Sequence, residues 1–144
     1  MKNEFDGLQG LIGKVVTGIL MDEETLTFET NKGYVVYWVE AECCSSSYFF
    51  DFYGVERLLG SEVVNFEEVE LSKGDVGYNE STYSTGYDVY GFRITTIHPL
   101  FGEVSSVLSF RNENNGYYGG WMTGGTSDEG YTDEQYRLTS DKIG

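Results

Sequence analysis

Two thiols, three hydroxyls and one imidazole are the groups in this sequence that could do covalent chemistry. Cys43 and Cys44 stand side by side, Ser45, Ser46 and Ser47 follow directly, and His98 is the single histidine of the chain. A cysteine or serine beside a histidine base is the least that nucleophilic catalysis requires. The spacing does not support it: the serine run lacks the G-x-S-x-G turn that exposes a nucleophile, and such hydroxyls more often cap a helix or line a turn. Zinc takes four ligands, or three and a water, from cysteines usually about two to four residues apart. Adjacent cysteines on an extended chain point to opposite faces, and one histidine leaves the ligand set incomplete. The glycines before Lys14 do not make a phosphate loop either, because Leu8 stands where that motif needs glycine and Val15 where it needs Ser or Thr. The expectation is a chain with no catalytic residue, no metal and no cofactor, in which one cysteine is a small buried hydrophobe and the other lies near the surface.

The acids carry more information. Glu62, Glu67, Glu68, Glu70, Asp75 and Glu80 crowd one stretch in which Lys73 is the only base. Spaced along a strand and loop, such carboxylates can imitate a line of phosphates, or they can simply charge an edge strand against unwanted pairing. Tyr78, Tyr83, Tyr117 and Tyr118 lie in or beside glycine-rich loops, and tyrosine gives large contact area at low entropic cost. These ten residues are the candidate partner-binding set. An alternative set, Ser45, Ser46, Ser47, Arg93 and Arg111, would serve a small ligand such as a nucleotide signal.

Composition narrows the classes further. The chain has 144 residues and a formal net charge of −15, which argues against direct binding of nucleic acid or an anionic membrane, since both need clustered Lys and Arg. It suits association with a basic protein surface. Two adjacent cysteines make no disulfide framework, so a reducing cytoplasm is the expected compartment. The first residues show no apolar signal segment, and no apolar run is long enough to span a membrane.

The elements that would position these residues are mostly strands. Tyr34 to Glu42 alternates Tyr, Val and Trp with both faces largely apolar, the mark of an interior strand, and it reads as the central strand of the sheet. Lys14 to Met21 and Thr25 to Thr30 precede it, with Leu26 and Phe28 inward, as an antiparallel meander turned at Asn31-Lys32-Gly33. Ser45 to Phe52 is open between helix, strand and aromatic loop. Val55 to Leu59 reads as a helical turn closed by Gly60. Glu62 to Leu71 changes phase, which predicts a β-bulge at Glu67-Glu68 that keeps Val64, Phe66, Val69 and Leu71 on the core. Ser72 to Gly86 is a long polar loop. Tyr87 to His98 and Glu103 to Arg111 form a hairpin around Pro99. The pattern predicts an α+β domain, mainly an antiparallel sheet of about six strands with one or two short helices, over residues 1–123. Residues 124–144 have little periodic apolar content and are expected to be a flexible or loosely docked tail.

One further likeness rests on the Cys43-Cys44-Ser45 segment and the turn Asn115-Gly116-Tyr117-Tyr118-Gly119-Gly120, with Leu26 to Thr30 before them and Glu67 to Glu70 and Phe110-Arg111-Asn112 between. Over residues 11–122 the chain resembles a family of small phage and bacterial domains of unknown function. The resemblance implies a compact α+β domain and a phage or mobile-element setting, and no activity. The combined expectation is a non-enzymatic acidic binding protein, an inhibitor of a host protein with a basic surface. It would work as a monomer or homodimer in the host cytoplasm, in its sharpest form as a nucleic-acid mimic. The alternatives are sequestration of a small molecule and an accessory domain without a ligand.

Overall fold

The structure, a computed structural model, describes residues 6–41, 46–71, 75, 87–113, 120–130 and 135–143, with the backbone alone at 41, 46–47, 87–90, 112–113 and 120–121. Val16–Met21 (β1), Thr25–Thr30 (β2) and Gly33–Ala41 (β3) form the meander that their period-two patterns predict. The Asp22 carboxylate closes the first turn by accepting from the backbone N–H groups of Glu24 and Thr25 at 2.9 and 2.8 Å. Gly33 reverses the chain at the second with φ of 96°, an angle that a Cβ disfavours.

Ser46–Tyr53 (β4) resolves as a strand. Val55–Leu58 (α1) is a single helical turn. Glu62–Glu70 (β5) is followed by Tyr87–His98 (β6) and Gly102–Glu113 (β7), which pair as a hairpin in register from Tyr87 with Glu113 to His98 with Gly102. Gly120–Ser127 (β8) and the two-residue Tyr136–Arg137 (β9) complete the chain. The strands form a five-stranded sheet in the order β8-β3-β2-β1-β9 and a four-stranded sheet in the order β4-β7-β6-β5, so β3 is interior but β2, not β3, is the central strand.

The architecture is therefore nearly all-β, which corrects the α+β expectation and its count of about six strands. Among the described residues there are nine strands, and helix is confined to a 3-10 turn at Gly7–Leu11 and to α1. The additional strands come from segments whose side-chain pattern is weak. β4 carries consecutive aromatics, Phe49 and Phe52 facing the core and Phe50 facing away, and a register shift between Phe49 and Phe52 accommodates them.

Two further expectations change. The boundary drawn after Thr123 falls inside β8, which pairs with β3 from Tyr34 opposite Ser127 to Ala41 opposite Gly120. Backbone pairing needs no apolar side chains, so a glycine-rich segment can complete a sheet without a visible pattern. The C-terminal residues dock, one of the two arrangements the sequence allowed. Leu138 is buried, β9 pairs with β1, and Lys142 bridges to Phe52. The Asp141 carboxylate accepts from the N–H groups of Gly54 and Val55 at 2.9 and 3.0 Å and so caps α1. The bulge of β5 lies between Val63 and Asn65, not at Glu67-Glu68. It puts Val63 and Phe66 in the core and turns Val64 out.

The sheets pack face to face through rings. Phe28 of the five-stranded sheet makes edge contacts with Phe52 and Phe66 of the other at 6.4 and 6.3 Å between centroids, and Tyr37 reaches Phe66 at 5.6 Å. The series continues from Phe66 to Phe92 and from Phe92 to Phe110. Edge-to-face geometry sets positive ring edges against negative faces, and it adds about 0.5–1.5 kcal/mol per pair beyond the area buried. This rigid aromatic core fixes the four-stranded sheet on which the candidate surface lies.

Candidate protein-binding surface

β5 is an edge strand of the four-stranded sheet, and its alternation decides where the acids point. Glu62, Glu67, Glu68 and Glu70 are all exposed, as is Asp75. Because the bulge precedes them, Glu67 and Glu68 face opposite sides: Glu67 pairs across to Arg93, and Glu68 to the core residue Phe92. Arg93 Nη1 donates to Glu67 Oε1 at 3.5 Å, with both side chains nearly half exposed. The acids are thus divided. One is partly offset by a base, while Glu68 and Glu70 lie together on the other side, about 7 Å apart along the strand. Tyr78, Glu80, Tyr83, Tyr117 and Tyr118 lie outside the described residues.

Of the alternative ligand set, Ser45 lies outside the described residues, and Ser46 and Ser47 begin β4 with only their backbone described. Arg93 is engaged by Glu67. Arg111 is fully buried, with its guanidinium carbon 4.5 Å from the centroid of the Phe50 ring, a cation–π contact in a dry setting. It lies on the face of the sheet away from the aromatic core, beside the equally buried Asp51. The Asp51 N–H donates to Ser109 Oγ at 2.8 Å, and its carboxylate accepts from the Tyr53 hydroxyl at 3.3 Å. Burial first, and then the Asp51 charge, push the Tyr53 hydroxyl above its ordinary value. This is an enclosed polar cluster that ties β4 to β7. A cleft of about 430 Å³ lies elsewhere, on the outer face of the five-stranded sheet, where Glu29, Tyr34, Asp128 and Glu129 line it. Of these, Glu29 is paired with Arg137.

Cys43 and Cys44 lie outside the described residues. His98 is described, and it is already occupied. Its Nδ1 accepts from the N–H groups of Leu100 and Phe101 at 3.0 and 3.3 Å, and its ring stacks on Phe101 with centroids 4.5 Å apart. Both bonds require Nδ1 to be the acceptor, which puts the proton of the neutral ring on Nε2. The histidine is thus the internal brace of the β6–β7 turn.

That turn presents exposed apolar residues that the sequence reading did not single out. Leu100 is 83% exposed, Phe101 62%, Ile97 47% and Val64 43%. Ile97 lies in a cross-strand row between Glu62 of β5 and Glu103 of β7, both exposed. The result is an apolar tip bordered by acids, the composition that marks interaction sites. A signal was present in the sequence: Pro99-Leu100-Phe101-Gly102 puts two large apolar residues where a hairpin turn ordinarily carries polar ones.

Among the described residues no helix is long and apolar enough to cross a membrane, and no group of three or more His, Cys, Asp or Glu side chains is placed to hold a metal ion. No curated protein and no solved structure matches the chain. One family model does match, over residues 9–123. That span covers β1 to β7 and the first half of β8, and leaves the docked C-terminal residues outside. The chain belongs to the family described as Domain of unknown function (DUF7448).

Proposed function

We propose that this chain is a non-enzymatic acidic binding domain that engages a basic protein surface. In a phage or mobile-element setting, it would act as an inhibitor of a host protein. The observation that carries the reading is the exposed carboxylate edge of β5. Glu62, Glu68 and Glu70 have no ion-pair partner among the described residues, whereas Glu67 shares Arg93. In a chain of net charge −15, such an edge steers encounter toward Lys- and Arg-rich surfaces and rejects acidic ones. Proteins that hold nucleic acid present surfaces of that kind, which makes them the partner class for the inhibitor. The ligand-sequestering alternative has less support, because its two arginines are respectively paired and enclosed.

Native mass spectrometry of the full chain recovered from bacterial cells tests this reading. A stoichiometric protein that is displaced by added duplex DNA is the expected result. With that protein in hand, Glu68→Lys together with Glu70→Lys should slow association about tenfold at low salt and flatten its salt dependence. Unchanged rates in the double variant would remove the nucleic-acid-mimic form of the proposal.

A further inference from the structure

The β6–β7 turn has an unusual combination of properties for a hairpin tip. It exposes the large apolar side chains of Leu100 and Phe101, and Ile97, close by on β6, is exposed as well. Solvent contact of such groups is unfavourable in proportion to their area. The tip is nevertheless built to hold them out. The two Nδ1 hydrogen bonds and the ring stacking brace His98 against the backbone and side chain of the turn. Gly102, at φ of 73° with open space around it, makes the reversal. The long in-register pairing of β6 with β7 carries the tip at the end of the sheet, with β5 alongside β6 as far as Ile97. A preformed projection loses little conformational freedom on binding.

We infer that the Ile97–Leu100–Phe101 tip is the anchor with which this domain docks, and that its partner is a protein presenting an apolar pocket rimmed by Lys or Arg. This inference rests on the binding reading above and names the contact. The shape follows from the tip, since a braced projection fits a recess. The rim follows from charge: Glu62 and Glu103 flank Ile97 in one row across three strands, and neither has an ion-pair partner among the described residues. A second copy of the chain is the poorer occupant, because each copy brings the same acids and the same net charge of −15. Anchors of this kind dominate binding when a polar rim shields them from water.

The test uses the full chain. A photo-crosslinking phenylalanine analogue is placed at Leu100 and, as a control, at the exposed Thr139, and crosslinked residues on captured proteins are mapped by mass spectrometry. The expected result is a crosslink from position 100 alone, to an apolar residue bordered by Lys or Arg on the protein that the wild-type chain retains. Retention should fall about tenfold or more in Leu100→Ser/Phe101→Ser, with only a small change in the unfolding midpoint, because both side chains are mostly exposed and only the Phe101 stacking on His98 is lost. It should also fall in Glu62→Lys/Glu103→Lys. Equal retention by the wild-type chain and Leu100→Ser/Phe101→Ser overturns the anchor while leaving the binding reading in place. Retention of no protein by the wild-type chain overturns both. Crosslinks from position 100 only to a second copy, or to a site bordered by acids, overturn the stated partner chemistry.

Discussion

Truncating Leu138 to Ala asks whether the last residues are part of the domain. Leu138 is 7% exposed and belongs to the same core cluster as Ile19, Phe28 and Phe52. Its N–H donates to the Ile19 carbonyl at 2.8 Å, directly after β9. Leu→Ala in a core costs about 2–5 kcal/mol, the transfer term plus a cavity term that depends on how far the site collapses. Leu138 enters from a segment with only two residues of sheet pairing, so its surroundings can relax, which points to about 2–3 kcal/mol. With a urea slope of about 1–3 kcal/mol/M, the unfolding midpoint should fall by roughly 1–2 M while the slope stays constant. Urea titration followed by circular dichroism and tryptophan fluorescence reads both quantities. A loss below about 0.5 kcal/mol, the range of ordinary surface substitutions, would refute the docking of this segment. Gln135→Ala provides a second reading. The Gln135 amide donates to Thr25 Oγ1 and accepts from Thr27 Oγ1, both at 3.1 Å, over two buried threonines. Two neutral hydrogen bonds give about 1–3 kcal/mol. If residues 135–143 detach as one unit, the double variant should lose less than the sum of the single losses.

Other outcomes follow from local geometry. The Arg137 guanidinium, through a two-pronged hydrogen bond, holds the Glu29 carboxyl below the usual carboxylate range. A depressed carboxyl stabilises the fold above its unfolded value of about 4.3 and loses that contribution as pH falls through the folded value. Wild-type stability should therefore drop more than that of Glu29→Gln below about pH 4.5, by about 0.5 kcal/mol or less because the pair is half in solvent; parallel pH profiles of the two midpoints would contradict this. Gly124→Ala should cost about 3 kcal/mol or more, since φ is 137° and a Cβ would meet the Val36 carbonyl and the Tyr37 backbone. Gly102→Ala, with a positive φ but open space, should cost only about 1 kcal/mol; equal losses at the two sites would show that close approach to β3 is not what requires Gly124.

Side-chain periodicity alone determined the meander from Val16 to Ala41, the interior position of β3 and the hairpin around Pro99, because alternation declares both the strand and its buried face. The turn residues Asp22 and Gly33 were legible for the same local reason. The acidic character of the Glu62 to Glu70 stretch was legible too, but not its division. Which of Glu67 and Glu68 meets Arg93 depends on where a single bulge falls, and that is set by pairing with β6. Other features needed the tertiary structure because they are properties of distant pairs. β8 exists as a strand through its backbone bonds to β3, and the C-terminal residues are held by Ile19, Thr25 and Thr27 on strands more than a hundred residues earlier. Arg111 looked like a ligand-binding cation in the sequence and became an enclosed one when Phe50 covered it. Leu100 and Phe101 looked like turn residues, and only the folded hairpin, with His98 bracing it, leaves them projecting into solvent. The sequence determines which residues are apolar, charged or turn-forming; exposure is settled only when segments far apart in the chain meet.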